Sequence, residues 1–277
     1  PMAALFSLVA AAIFGVGDFF GGQASKRTKV VTVVAGSNIV GLALVLALAP
    51  GMAEQFDGGD FVAGMFGGLS GLIGITLLYR GLSTGPMAVV APIAAVTNAA
   101  VPALWGVAFG DRLTLLQLVG VALGLVAIVL VSRPPEAAGR TTAGLLVGSV
   151  LSGIGFAGFS IVLSGTDPAS APWPVVGSRL TTVVILVTVL AFVRRVRGPI
   201  RDARRLILVC GLCDSGGNVM LLEALGRGML SLVAVLTSLY PAVTVLLART
   251  VLKEPISRGQ VVGLAGSLGA ITLIVTG

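Results

Sequence analysis

Apolar residues run along this chain in long blocks rather than in the spaced stripes of a water-soluble protein. Segments such as 113–132 and 229–248 are apolar on every face, with no polar side for water. Strands of a lipid-facing barrel would alternate apolar and polar residues, and these blocks do not. A membrane-crossing helix needs about 20 such residues. Ten blocks meet that requirement: 2–22, 30–49, 61–82, 86–108, 113–132, 143–164, 174–193, 205–225, 229–248 and 259–276. The pattern predicts an all-α integral membrane protein of ten transmembrane helices.

Composition agrees. Of the 277 residues, 56% are hydrophobic and 10% charged, with a mean hydropathy of +1.06. A soluble domain carries about 25% charged residues, so most of this surface faces lipid. The net charge of +7 suggests nucleic acid at first sight. The basic residues sit in connecting loops, however, and no nucleic-acid partner is expected. With no His and two Cys, neither a disulfide framework nor a zinc site is implied, and no cofactor or metal is expected. The first span does not read as a cleaved signal, because Lys26, Arg27 and Lys29 follow it and no basic residue precedes it.

The segment from Arg133 to Thr142, with Pro134 and Pro135, divides the chain into two units, 1–132 and 143–277, of five spans each. A shift of 143 residues places Gly68 on Gly211, Gly85 on Gly228, Val90 on Val233 and Ala91 on Ala234. It also places Asp111 on Glu254, Thr114 on Ser257, Gln117 on Gln260 and Gly120 on Gly263. The first two spans of each half match more weakly, through Gly36-Ser37 and Gly177-Ser178. Five is odd, so the second copy is expected to cross the membrane upside down, as in secondary transporters with a site between the repeats. Charge provides an independent check. Placing the odd-numbered connections on one side puts 15 of the 18 Lys and Arg there, leaving Arg112, Arg179 and Arg227 opposite. Basic loops stay cytoplasmic, so both termini are expected outside a plasma (inner) membrane.

Three sets of residues now carry a resemblance. Leu78-Tyr79-Arg80-Gly81-Leu82-Ser83-Thr84-Gly85-Pro86 with Val89-Val90-Ala91-Pro92 resembles the junction of the third and fourth helices in the drug/metabolite transporter superfamily, EamA type. Gly110-Asp111-Arg112-Leu113 with Gln117 and Gly120, and their copies Lys253-Glu254-Pro255-Ile256 with Gln260 and Gly263, are similar to the same family's motifs, as is Phe14-Gly15-Val16-Gly17-Asp18-Phe19. The resemblance implies ten helices in two inverted halves around a central cavity, and export of amino acids or other metabolites. It does not name a substrate, because the motifs lie at loops and packing faces.

Candidate chemistry begins with Asp18 and Asp214, the carboxylates assigned to the interior of spans. A mid-membrane charge costs roughly 2.5–3.5 kcal/mol on insertion scales, which makes it a functional candidate by default. Asp18 also has an interfacial reading, near Lys26. Asp214 has Asn218 one turn away. Arg179, five residues into the seventh span, either snorkels to the interface or offers its planar fork to a substrate carboxylate. Pro92, Pro102 and Pro241 would free the carbonyls of Ala88, Asn98 and Thr237, bending helices four and nine. Asn98, Thr237 and Tyr240 are then expected to line a pocket, with helices five and ten outside it. Gly120/Gly124 and Gly259/Gly263 give these last two helices small-xxx-small spacing, which suits close packing or a homodimer. Cys210 and Cys213 spell CxxC but lie in an apolar span, where packing is the expected role.

These observations point to a small-molecule transporter in a lipid bilayer, working by alternating access. Two alternatives stand beside it. Gly15-Val16-Gly17-Asp18 matches the GxGD of intramembrane aspartyl proteases, with Asp214 as a second carboxylate; the match stops at four residues, Asp214 follows Cys213 rather than a tyrosine and the order along the chain is reversed, so no enzyme is expected, and close carboxylates across helices one and eight would revive that reading. A passive facilitator is the other.

Overall fold

The computed structural model describes residues 2–84, 87–132, 142–193, 198–251, 253 and 256–277, with the side chains of 79–84, 87–89, 91, 92 and 248 outside that description. Its elements are α1 (Met2–Ser25), α2 (Val30–Met52), α3 (Gly58–Thr84), α4 (Met87–Ala108), α5 (Leu115–Ser132), α6 (Ala143–Ser164), α7 (Trp173–Phe192), α8 (Arg204–Leu225), α9 (Leu230–Thr237), α10 (Tyr240–Val251) and α11 (Arg258–Thr276), with a 3-10 turn at Pro168–Ser170. Nine spans among the described residues are long and apolar enough to cross a membrane, and α4 supplies a tenth through the apolar stretch Ile93–Ala108. Large apolar side chains such as Leu104, Phe109, Leu115, Phe192 and Leu268 point outward. In water that surface would be a liability; against lipid tails it is the expected one.

The ninth span is the one built in two pieces, α9 and α10. Pro241 has no N–H and its ring crowds the Thr237 carbonyl, so the helix stops at Thr237. The backbone turns through Ser238 and Leu239, held by Ser238 N–H to Ala234 O at 3.0 Å and Ala242 N–H to Leu239 O at 3.0 Å. The matching interruption expected in the fourth span is absent, for α4 continues as helix through residues 92 and 102. A proline removes one hydrogen bond, and packing of α4 against α5, α6 and α9 holds the helix together across that loss.

Most of the packing runs between the two halves. α1 lies on α8, α3 on both α6 and α7, α2 on α7 and α8, α4 on α6 and α9, and α5 on α11. The closest of these seams come in reciprocal pairs. Gly68 on α3 backs onto Ser178 of α7, where an added Cβ would lie 2.5 Å from the Ser178 carbonyl oxygen. Gly211, its equivalent on α8, backs onto Ser37 of α2, with Cα of Ser37 at 3.0 Å from such a Cβ. Ser37 and Ser178 are themselves the residues matched between halves. Serine hydroxyls add to the α3–α6 seam: Ser70 Oγ donates to Gly155 O and Ser152 Oγ to Gly74 O, each at 2.8 Å.

The repeated Thr/Ser-x-x-Gln motifs are helix starts. Thr114 Oγ1 accepts from Gln117 N–H at 3.2 Å while Gln117 Oε1 accepts from Thr114 N–H at 3.1 Å. Ser257 and Gln260 make the same reciprocal pair at the start of α11. Asp111 reaches across to the start of α9, accepting from the backbone N–H and the hydroxyl of Ser231 at 2.9 and 2.7 Å. Its copy Glu254 lies outside the described residues. Gly120 and Gly124 face α11 and α9. Gly263 packs on Val131 and Leu130 of α5. The expected small-residue spacing therefore serves an intrachain seam.

One end of the bundle, formed by the even-numbered connections, is filled. Val175, Val176, Leu222, Leu225 and Leu230 are buried there against Phe6, Met52, Phe61 and Trp173. Asp60 accepts from Asp167 N–H and Ser170 Oγ–H across the same end, at 2.9 and 2.6 Å.

Two substitutions check this packing. Gly155→Val places carbon against the Gly74 backbone, 2.7 Å from a Cβ at 155, and is expected to cost about 1–3 kcal/mol or more, read as a lower unfolding temperature in detergent. Asp111→Ala removes the cap on α9 and is expected to cost about 0.5–2 kcal/mol by the same measurement.

Candidate functional site

Away from the filled end, the helices part around a cavity of about 520 Å³. Its wall takes in Asp18 (α1), Asn98 (α4), Arg179 (α7), Asp214 and Asn218 (α8), Thr237 (end of α9) and Tyr240 (start of α10). All seven side chains singled out in the sequence therefore share one space. Phe14, Leu72, Ile75, Phe156 and Phe159 supply much of the apolar lining. Gly22, Leu78, Ser132 and Gln260 carry the wall toward the odd-numbered connections. Helices five and ten of the sequence reading were expected to lie outside the pocket. The last residues of α5, Val131 and Ser132, and Gln260 of α11 instead reach it, because Gln260 Nε2 bonds the Val131 carbonyl at 3.3 Å and draws the two ends together.

The polar centre is built on Arg179. Its side chain points inward rather than snorkelling and the residue is 7% exposed. Nη1 donates to Asn38 Oδ1 at 2.8 Å, and Asn38 is fixed by Nδ2 donating to Val34 O at 2.9 Å. Nη2 lies 2.8 Å from Asp214 Oδ2. This is an ion pair by distance, but the N–H does not align for a hydrogen bond, and Nε also has no partner among the described residues. Asp214 is the more open member, its side chain 38% exposed against 8% for Arg179. Asn218 Nδ2 donates back to the Asp214 carbonyl at 2.9 Å.

Across the cavity, Asn98 Nδ2 reaches Ser238 Oγ at a long 3.4 Å. Asn98 Oδ1 and Thr237 Oγ1 are buried without a partner among the described residues. Burying such oxygens unpaired is costly. Asp18 is open to the cavity and makes no hydrogen bond or ion pair among the described residues. Its helix is pressed against α8: a Cβ on Gly17 would lie 3.1 Å from Cys213 Cβ and 3.5 Å from the Asp214 nitrogen. The same closeness explains the cysteines, which pack against Gly17 and Gly21 as free thiols.

The carboxylates of α1 and α8 thus face one space, the condition that favours an aspartyl dyad. A dyad shares one proton between two acids, whereas Asp214 here neutralises a guanidinium. Another carboxylate inside a span, Glu223, was overlooked in the sequence reading. It pairs with Arg227 at the end of α8, where that guanidinium also sits 5.0 Å from the Phe6 ring centroid, away from the cavity. Asn38 was missed as well. A lone amide in an apolar run gives little signal, although Gly36-Ser37-Asn38 is the most polar stretch of the second span.

Comparison with known proteins accords with the fold. The family model described as "EamA-like transporter family" matches twice, over residues 1–133 and 141–276. No curated protein matches the chain. A solved structure titled "Crystal structure of protein" is similar over 99% of this chain and 96% of that one, with a TM-score of 0.82 at 16% identity, a likeness of fold. With nearly the whole sequence matched in two repeats, this multi-pass membrane protein belongs to the EamA-like transporter family.

Proposed function

We propose that the protein is a secondary transporter that exports a small metabolite, an amino acid or similar amphipathic solute, through the central cavity by alternating access. The observation that carries the reading is the cavity itself: an apolar chamber with an ion pair and polar side chains at its middle, closed toward one end of the bundle. Binding pockets generally combine a mostly apolar lining with a few convergent polar groups. Arg179 would take the solute's carboxylate; Asn98, Thr237 and Tyr240 would take its polar hydrogens; Asp18, Asp214 and Asn218 would face a cationic nitrogen.

The two halves are read as inverted repeats, 1–132 and 143–277. An odd number of spans per repeat requires inversion, and the exchanged contacts Gly68–Ser178 and Gly211–Ser37 suit a two-fold axis in the membrane plane. The loop charges orient the protein in a plasma membrane with both termini outside. The filled end then faces out and the cavity faces the cytoplasm, the loading state of an exporter. A homodimer through α5 and α11 would use their outer faces, where Leu118, Val119, Val262 and Leu268 are exposed.

A solute screen in proteoliposomes, run with and without a pH gradient, tests the reading. Accumulation of an amphipathic solute is expected, and its dependence on the gradient separates a driven transporter from a passive facilitator. No transport of any solute by folded protein would sink the assignment. In the same vesicles, Arg179→Lys is expected to lower the rate about tenfold or more with expression unchanged, since an ammonium cannot make the paired contacts of a guanidinium.

A further inference from the structure

The ion pair in the cavity is arranged for exchange. Arg179 is held from behind by Asn38, which is itself tied to its own helix, so the guanidinium stays in place. Asp214 is the partner exposed to the cavity, and it engages Nη2 through a single oxygen in poor alignment. Nε and Nη2 form the edge of the guanidinium that suits a bidentate carboxylate. Both atoms are covered, so a cargo reaches them only when Asp214 turns away.

Release of Asp214 creates a charge problem. Among the described residues no other Lys or Arg lines the cavity. The titratable groups around Asp214 are Asp18 on α1, Tyr240 on α10, and Cys210 and Cys213 on α8 itself. None is a cation, and Asp18 is a second acid open to the same space. A carboxylate freed from its guanidinium beside a second acid has lost its counter-charge. The freed Asp214 therefore needs a proton or a positive group brought by the cargo.

Resting on the transport reading above, we propose that cargo carboxylates displace Asp214 from Arg179, and that the cargo's own charge decides whether a proton is bound with it. A monocarboxylate binds with one proton: the cargo anion joins Arg179, and the proton from solution forms the O–H of Asp214. A zwitterion binds with none, because its ammonium takes the place of that proton beside Asp214. In both cases the occupied cavity carries the same charge as the empty one, and proton coupling is a property of the cargo rather than of the protein alone.

Leucine and 4-methylpentanoate differ only by the ammonium group, and each fits an apolar chamber. Calorimetric titration of the purified full chain near neutral pH, in two buffers of different ionisation enthalpy, counts protons taken up per ligand. The expected result is about one proton for 4-methylpentanoate and none for leucine. In Asp214→Asn, 4-methylpentanoate is expected to bind about tenfold tighter without proton uptake. Equal counts for the two ligands overturn the proposal. So does binding of neither, or an uptake that persists in Asp214→Asn and vanishes in Asp18→Asn. The wild-type comparison decides even if a variant fails to fold. Correct counts without vesicle transport of any solute would sink the transport reading alone, and transport with equal counts would sink the exchange alone.

Discussion

A guanidinium inside a lipid-embedded bundle has no water to fall back on, and everything near Arg179 follows from that constraint. Its charge needs an opposing one, its hydrogens need acceptors, and both must come from neighbouring helices. Asp214 answers from α8 and Asn38 from α2. The helices can approach closely enough to do so because Gly211 sits against α2. Packing and electrostatics are therefore one problem here. The small residues that bring backbones together also set the reach of the polar side chains at the centre.

The same economy of polar groups separates the two ends of the bundle. At the filled end, carboxylates are spent on capping: Asp111 on α9 and Asp60 on the turn after α6. In the cavity, acids and amides are left partly or wholly unpartnered among the described residues. A membrane protein tolerates irregular or unsatisfied backbone only where protein or a watery space receives it. The break between α9 and α10 lies at that boundary, and it places both Thr237 and Tyr240 in the cavity wall.

Much of this was legible beforehand because hydrophobic length and repeat offset are strong signals. Ten apolar blocks gave the spans, and a constant shift of 143 residues matched helix starts that prove to be the same hydrogen-bonded cap. Asp18, Asp214 and Arg179 stood out because charges are rare at membrane depth, and Asn98 and Thr237 because a proline follows each by four residues. What escaped depended on rotation about the helix axis, which an all-apolar span does not reveal. Asn38 and Glu223 carry equal weight in the sequence, yet one faces the cavity and the other a helix end. The proline rule likewise treated α4 and the ninth span alike, whereas only the latter breaks, since neighbours decide whether a lost bond can be absorbed.

The crossing of contacts between the halves has a consequence for how the molecule is made. α3 is packed on α6 and α7, and α1 on α8, so the first five helices emerge from the ribosome before the surfaces they bury against exist. During that interval Gly68 and Gly74 face lipid or the insertion machinery, and the seams between early helices are few. The nascent first half is a loose set of spans held by topology rather than by tertiary structure. Assembly waits for the second half to arrive and thread its helices among them, so the chain acquires a stable form late in synthesis and nearly all at once.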